Sequence, residues 1–175
     1  MSTPHVVGLD LSLTSTGYAE PGGTGRIRST VNGHPRLAFL LDRIRQITAP
    51  AELVVVEGPS YGSKGATYHQ LAGLWWLVAH DLWTAGLPYA VVSPQARAKY
   101  ATGRGNANKD AVLLAVERRF PWAAVSGNDQ ADALVLMAMG LDRLGHPLAD
   151  LPAVNRTALD KVAWPEPRPS TEGAA

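Results

Sequence analysis

Val6-Val7-Gly8-Leu9-Asp10-Leu11-Ser12 is a short apolar run, β-branched at its front, with one carboxylate where an ordinary strand would carry another Val or Ile. A run of this length, followed at once by polar and Gly-rich sequence, reads as a buried strand rather than a helix. A carboxylate in such surroundings needs a cation, a metal ion or a set of hydrogen-bond donors to offset its desolvation. Asp10 meets that need either by ending the strand and accepting backbone bonds in the next turn, or by acting as a ligand. The strand alone does not choose between them.

Working outward, the chain of 175 residues is 46% hydrophobic, enough for one well-filled domain and too little for two. The expected division is one globular domain over residues 1–144 and a Pro-rich extension over 145–175, partly disordered past Pro165. There is no cysteine, which excludes disulfide scaffolds, thiol nucleophiles and Cys-ligated zinc. A metal site would use Asp, Glu or His, and so favours hard ions such as Mg²⁺ or Mn²⁺. The longest apolar runs, near 71–79 and 133–141, fall short of the roughly 20 residues that span a bilayer. No membrane partner is expected, and the chain reads as cytoplasmic. The net charge of +1 decides nothing, because an acidic site masks a basic face.

Leu53-Val54-Val55-Val56-Glu57 repeats the opening run in form, an apolar strand with an acid at its carboxyl end. Continuous hydrophobicity implies burial on both faces, as in the parallel part of an α/β sheet. Between the two runs, Ser12 to Ala19 reads as a hydroxyl-rich turn and a short second strand, Pro21–Gly25 as a turn and Arg26 to Val31 as a half-exposed third strand, completing an antiparallel meander. Asn32-Gly33-His34-Pro35 then opens a crossover helix with Leu37, Leu40, Leu41, Ile44 and Ile47 on one face. With Pro88 to Val92 as a fifth strand, the expected architecture is a five-stranded mixed sheet flanked by helices. Ligands in such sheets collect at the carboxyl ends of the parallel strands, where Asp10 and Glu57 both fall.

A helix over about 67–85 carries Leu71, Leu74, Trp75, Val78 and Leu82 on one side. Trp76 and Trp83, seven residues apart, share another, which reads as a dimer interface or as the second face of a fully buried helix. Before it, Ser60 to Thr67 is a polar loop with Tyr61 and Lys64. From Ser93 to Lys109 the chain has Arg97, Lys99, Arg104 and Lys109 and no acid. A mobile basic segment of this kind suits phosphate backbones, or is solvated surface. Asn108 caps a further helix that Pro121 stops.

Asp129 and Asp132 are three apart at the start of the last long helix, so both project from one side of its first turn. Acids there are favoured by the helix dipole alone. The helix beyond them, Ala133 to Leu141, is apolar nearly all round and must be buried, which draws Asp132 inward. Four acids thus gather at one edge of the core: Asp10, Glu57, Asp129 and Asp132. Without cations they would repel one another. Two divalent ions would resolve that, and the chemistry paired ions serve is in-line displacement at phosphorus.

Val7-Gly8-Leu9-Asp10-Leu11-Ser12 leading to Thr16-Gly17-Tyr18, then Val55-Val56-Glu57, and finally Asp129-Gln130-Ala131-Asp132-Ala133, resemble the RuvC-type Holliday-junction resolvases of the ribonuclease H-like superfamily. The resemblance covers roughly residues 5 to 143. It implies a ribonuclease H-like α/β fold, a homodimer through the long helix, and Mg²⁺- or Mn²⁺-dependent nicking of four-way DNA junctions in recombination and repair. By that resemblance Asp10, Glu57, Asp129 and Asp132 are metal ligands in a two-ion site. Lys109 matches a basic residue near the scissile phosphate, and Lys99 matches another. DNA contacts are expected from Tyr61, Lys64, Arg97, Lys99, Arg104 and Lys109. The family places an aromatic three positions after the strand-four acid, whereas here that position is Ser60 and Tyr61 follows it. The last thirty or so residues have no counterpart in the family. Both departures fit a phage-type relative that cuts flaps and forks besides four-way junctions, in a bacterial or phage-infected cell and close to the nucleoid.

Two other readings stand beside this one. Asp10 to Gly17 also resembles the first phosphate loop of actin-like ATPases and sugar kinases, but those need a second such domain. A non-catalytic nucleic-acid-binding module on the same fold would typically lack one of the four acids.

Overall fold

In the computed structural model, which describes residues 3–59 and 66–166, the opening run becomes β1 (Val6–Asp10). It is followed by β2 (Ser15–Glu20), β3 (Gly23–Arg28), α1 (His34–Thr48), β4 (Leu53–Glu57), α2 (Ala66–Thr84) and β5 (Tyr89–Val92). Then come α3 (Pro94–Thr102), α4 (Lys109–Arg119), α5 (Asn128–Arg143) and α6 (Ala153–Arg156). The strands form one five-stranded sheet in the order β3-β2-β1-β4-β5. β1 pairs antiparallel with β2 and β2 with β3, whereas β1–β4 and β4–β5 are parallel.

Alternation along the central strands divides the interior into two cores. Val6 and Val55 face one side, where α5 lies with α3 and α4. Val7, Leu9, Val54 and Val56 face the other, under α1 and α2. Along α5 every residue from Gln130 to Asp142 is buried, as its all-round apolar sequence requires.

The seating of α5 on the sheet depends on two glycines. A Cβ on Gly8 would stand 2.1 Å from the Ala133 carbonyl oxygen, and one on Gly17 would stand 2.0 Å from that of Asp129. Both distances lie far inside van der Waals contact. Strand and helix backbones therefore touch without side chains between them, and the first turn of α5 is pressed onto β1 and β2.

Two stretches differ from their sequence reading. The Pro21–Gly25 turn contracts to Pro21-Gly22, because Glu20 pairs directly with Gly23 and β3 begins there. Gly25 belongs in the ladder opposite Tyr18, whose ring would meet a Cβ on Gly25 at 2.4 Å. The basic segment from Ser93 is no mobile loop either. Ser93 accepts from the Ala96 amide at 3.1 Å as an N-cap, Pro94 opens α3, and Gly103, at φ 82°, closes it in the left-handed conformation that favours glycine.

Beyond α5 the extension folds back onto α3. Asn155, buried, donates from Nδ2 to the Tyr100 carbonyl at 2.8 Å. Arg156 donates from Nε to Asp142 Oδ2 at 3.1 Å and from Nη2 to Oδ1 at 2.5 Å. Leu159, Val162 and Trp164 pack against the α5 core.

Candidate active site

Because Leu9 lies opposite Val56 in the parallel register, Asp10 and Glu57 end their strands side by side. α5, held down at Gly8 and Gly17, brings Asp129 and Asp132 over the same strand ends. Ser15 Oγ donates to Asp129 Oδ2 at 2.7 Å. Trp75 Nε1 donates to the Glu57 carbonyl at 3.0 Å, and with Tyr68 and Leu71 it walls a cavity of about 100 Å³ beside Asp10 and Glu57.

Between Glu57 and Asp132 sits Arg97. Its Nε donates to Glu57 Oε2 and its Nη1 to Asp132 Oδ1, so the guanidinium fork bridges β4 and α5. Arg97 is 6% exposed. The solvent-facing phosphate contact expected of it is therefore corrected: the side chain turns inward, because two carboxylates already buried need a cation more than the surface does. Lys99 is half-buried on α3. Arg104 is exposed in the turn after α3, and Lys109 is exposed at the first position of α4. Tyr61 and Lys64 lie outside the described residues.

Electrostatics follow burial. Desolvation pushes the Asp10 carboxyl well above its ordinary range, the charges of Glu57 and Asp132 adding to it and Arg97 opposing it. Burial also raises Glu57, against the charge and hydrogen bond of Arg97 and the charge of Lys109. Asp132 is pushed up to about 6, chiefly by burial, with Arg97 and Lys109 acting downward. Burial thus leads at all three acids, and Lys109 is close enough to act on Glu57 and Asp132.

Four carboxylates suit a hard divalent cation in kind. In arrangement they are less complete. Among the described residues no three acidic or histidine side chains converge into a ready-made cage. One guanidinium already takes an oxygen each of Glu57 and Asp132, leaving Glu57 Oε1 and Asp132 Oδ2 without a hydrogen bond among the described residues.

Apart from the cavity beside Asp10 and Glu57, α3, α4 and the turn between them enclose an open groove of about 810 Å³. It is lined by Arg104, Asn106, Asn108, Arg118 and Arg119 and by no acid. Arg118 and Arg119 escape a sequence reading because their helix places them beside Arg104 only in three dimensions. Their signal is the paired cations in the last turn of α4.

No family model matches the sequence, and no curated protein matches it either. Solved structures do. Thermus thermophilus RuvC superposes with a TM-score of 0.66 at 19% identity, covering 81% of this chain and 97% of that one. The fold is that of RuvC. T. thermophilus RuvC in complex with a Holliday junction substrate gives a TM-score of 0.62 at 18% identity, over 82% of this chain and 97% of that one. The five-stranded mixed sheet and its flanking helices are thus the ribonuclease H-like architecture expected from the sequence. Among the described residues no helix is long and apolar enough to cross a membrane.

Proposed function

We propose that this chain is a divalent-metal-dependent endodeoxyribonuclease that nicks four-way DNA junctions, and flaps and forks beside them, in the cytoplasm of a bacterial or phage-infected cell. The observation that carries this reading is the gathering of Asp10, Glu57, Asp129 and Asp132 about the carboxyl ends of β1 and β4, on the fold of RuvC, in a chain that also has a basic groove without acids on α3 and α4. The similar protein solved with a Holliday junction substrate supports the choice of branched DNA.

In this reading the four acids would hold Mg²⁺ or Mn²⁺, and the ion would supply Lewis-acid activation of water and of the phosphate. The chain's own groups do the rest. Ser15 orients Asp129 through its 2.7 Å hydrogen bond. Lys109 presents a cation at the mouth of the acid cluster, placed to meet a phosphate. Arg104, Arg118 and Arg119 line a groove that the backbone of a DNA arm would follow, and Lys99 is a further cation on α3. A homodimer through the α2 face carrying Trp76 and Trp83 would set two such sites on opposed strands of a symmetric junction.

The guanidinium seated between Glu57 and Asp132 favours a second reading, a non-catalytic DNA-binding module. One experiment separates the two. Purified protein is incubated with Mg²⁺ or Mn²⁺ and end-labelled four-way junction, flap, fork and linear duplex, beside Asp132→Asn. Metal-dependent nicks in branched DNA that Asp132→Asn loses, while still binding it, are the expected result. Binding without cleavage by the wild-type chain would leave the module.

A further inference from the structure

Arg97, seated between Glu57 and Asp132, is a feature of the acid cluster that a paired-ion site does not explain. Its helix is anchored at both ends and at Tyr100. Ser93 caps the start of α3 and Gly103 ends it. Tyr100, three residues on from Arg97 and so on the same face, donates from its hydroxyl to Asp142 Oδ2 at 3.0 Å and to the Ala138 carbonyl at 3.3 Å. Asn155, in the extension, holds the Tyr100 carbonyl at 2.8 Å. Arg97 and Tyr100 thus reach α5 together, one at Asp132 and the other at Ala138 and Asp142. The guanidinium is built into the site and is not a surface side chain that has collapsed onto it.

A planar fork that donates to one oxygen of Glu57 and one of Asp132 occupies the space where a cation bridging those two acids would lie. Two like charges a few ångströms apart in a poorly hydrated pocket repel strongly. The acids left to a metal ion are then Asp10, which among the described residues has no hydrogen bond on its carboxylate, and Asp129, together with the outward oxygens of Glu57 and Asp132.

We propose that Arg97 is a resident cation that takes the place of one of the two divalent ions, so that each chain binds a single Mg²⁺ or Mn²⁺ on the Asp10 and Asp129 side of the cluster. This rests on the metal-dependent reading above and corrects its expected pair of ions to one ion and one guanidinium. α3 is accordingly part of the reaction centre. The extension that packs on α3 holds a charge in position there.

The test counts ions with Mn²⁺ alone as the probe. Full-length wild type, Arg97→Gln and Arg97→Lys are titrated with Mn²⁺, and free ion is followed by electron paramagnetic resonance. Thermal midpoints are recorded with and without the ion. Wild type and Arg97→Lys, which keep the charge, are expected to bind one Mn²⁺ per chain. Arg97→Gln, which keeps a donor but loses the charge, is expected to bind two and to gain more in thermal midpoint from the ion than wild type does. Two ions on wild type, with Arg97→Gln no different, would overturn the inference and leave the metal site standing. No ion on any of the three would overturn the metal-dependent reading and the inference with it. Should Arg97→Gln fail to fold, the count on wild type decides alone, one ion supporting the inference and two ending it.

Discussion

The sheet is flanked by two long helices of similar apolar content that are used in opposite ways. α5 is buried all round from Gln130 to Asp142 and touches the strands through backbone at Gly8 and Gly17. α2 buries Leu74, Val78 and Leu82 against the sheet and leaves Trp76 and Trp83 at 69% and 72% exposure. The difference shows where each helix carries function. α5 has no outer surface to offer, so its chemistry is confined to the end that emerges at the acids. α2 adds no acid to the site, only the Tyr68 and Trp75 wall beside Asp10 and Glu57, and it also offers an outer face.

That contrast breaks most visibly at the glycines. Gly8→Ala places a methyl group 2.1 Å from a main-chain oxygen of α5, a clash that only movement of the helix relieves. A loss of about 3 kcal/mol or more is expected, at the upper end for overpacking. Gly73→Ala on α2 meets nothing within 4 Å and should stabilise the folded chain by about 0.5–1 kcal/mol, the usual gain when an unstrained helical glycine is replaced. Urea titrations of the two variants beside wild type check both signs. Equal effects would mean that α5 is not pressed onto the sheet as described.

The acids at the end of α5 give the next largest effect. Asp132 has its pKa raised from 3.8 to about 6, so the native state binds that proton more tightly than the unfolded chain does. The sign follows: the contribution is fully present below about pH 4 and is lost as pH rises through about 6, a change of about 3 kcal/mol at about 1.4 kcal/mol per unit. Asp10 and Glu57 shift in the same direction. Metal-free protein should therefore have a higher urea midpoint at pH 5 than at pH 7.5, and Asp132→Asn should flatten part of that slope. A wild-type midpoint that rises toward pH 7.5 would contradict the burial assigned to these acids.

How far the site could be read in the sequence follows from the range of its interactions. Asp10 and Glu57 stand out because each interrupts an apolar run, and the parallel register that joins them follows from the crossover helix between the runs. Asp129 and Asp132 are legible because the helix behind them has no polar face. Arg97 is not legible. Its partners are 40 and 35 residues away in the chain, and within its own neighbourhood it is one cation among four. The Ser93-Pro94 start and the Gly103 stop of α3 were present in the sequence, but the acid-free charge pattern suggested a loop. The start of β3 was hidden for a different reason: a glycine-rich string reads as a turn, whereas Gly25 is needed to admit the Tyr18 ring.

The smallest effect on the fold tests the outer face of α2. Gly73, Trp76, His80 and Trp83 fall at spacings of three, seven and ten and so lie on one stripe of the helix. Both indoles already stand mostly in water, so replacing them by Ser removes little burial from the folded chain, and its stability should change by no more than about 0.5 kcal/mol. If the stripe meets its copy on a second chain, those rings supply much of the apolar area buried there, at roughly 25 cal/mol per Å². Sedimentation velocity across a concentration series should then show a wild-type dimer and a monomeric Trp76→Ser/Trp83→Ser variant with unchanged urea midpoint at low concentration. Gly73→Ala sharpens the result. A methyl group at the open end of the stripe stabilises the separate chain but interferes with close helix approach, so it should raise the urea midpoint while weakening the dimer. A wild type that sediments as a monomer at every concentration would leave the exposed tryptophans to some other partner and remove the paired-site geometry from the proposed reaction.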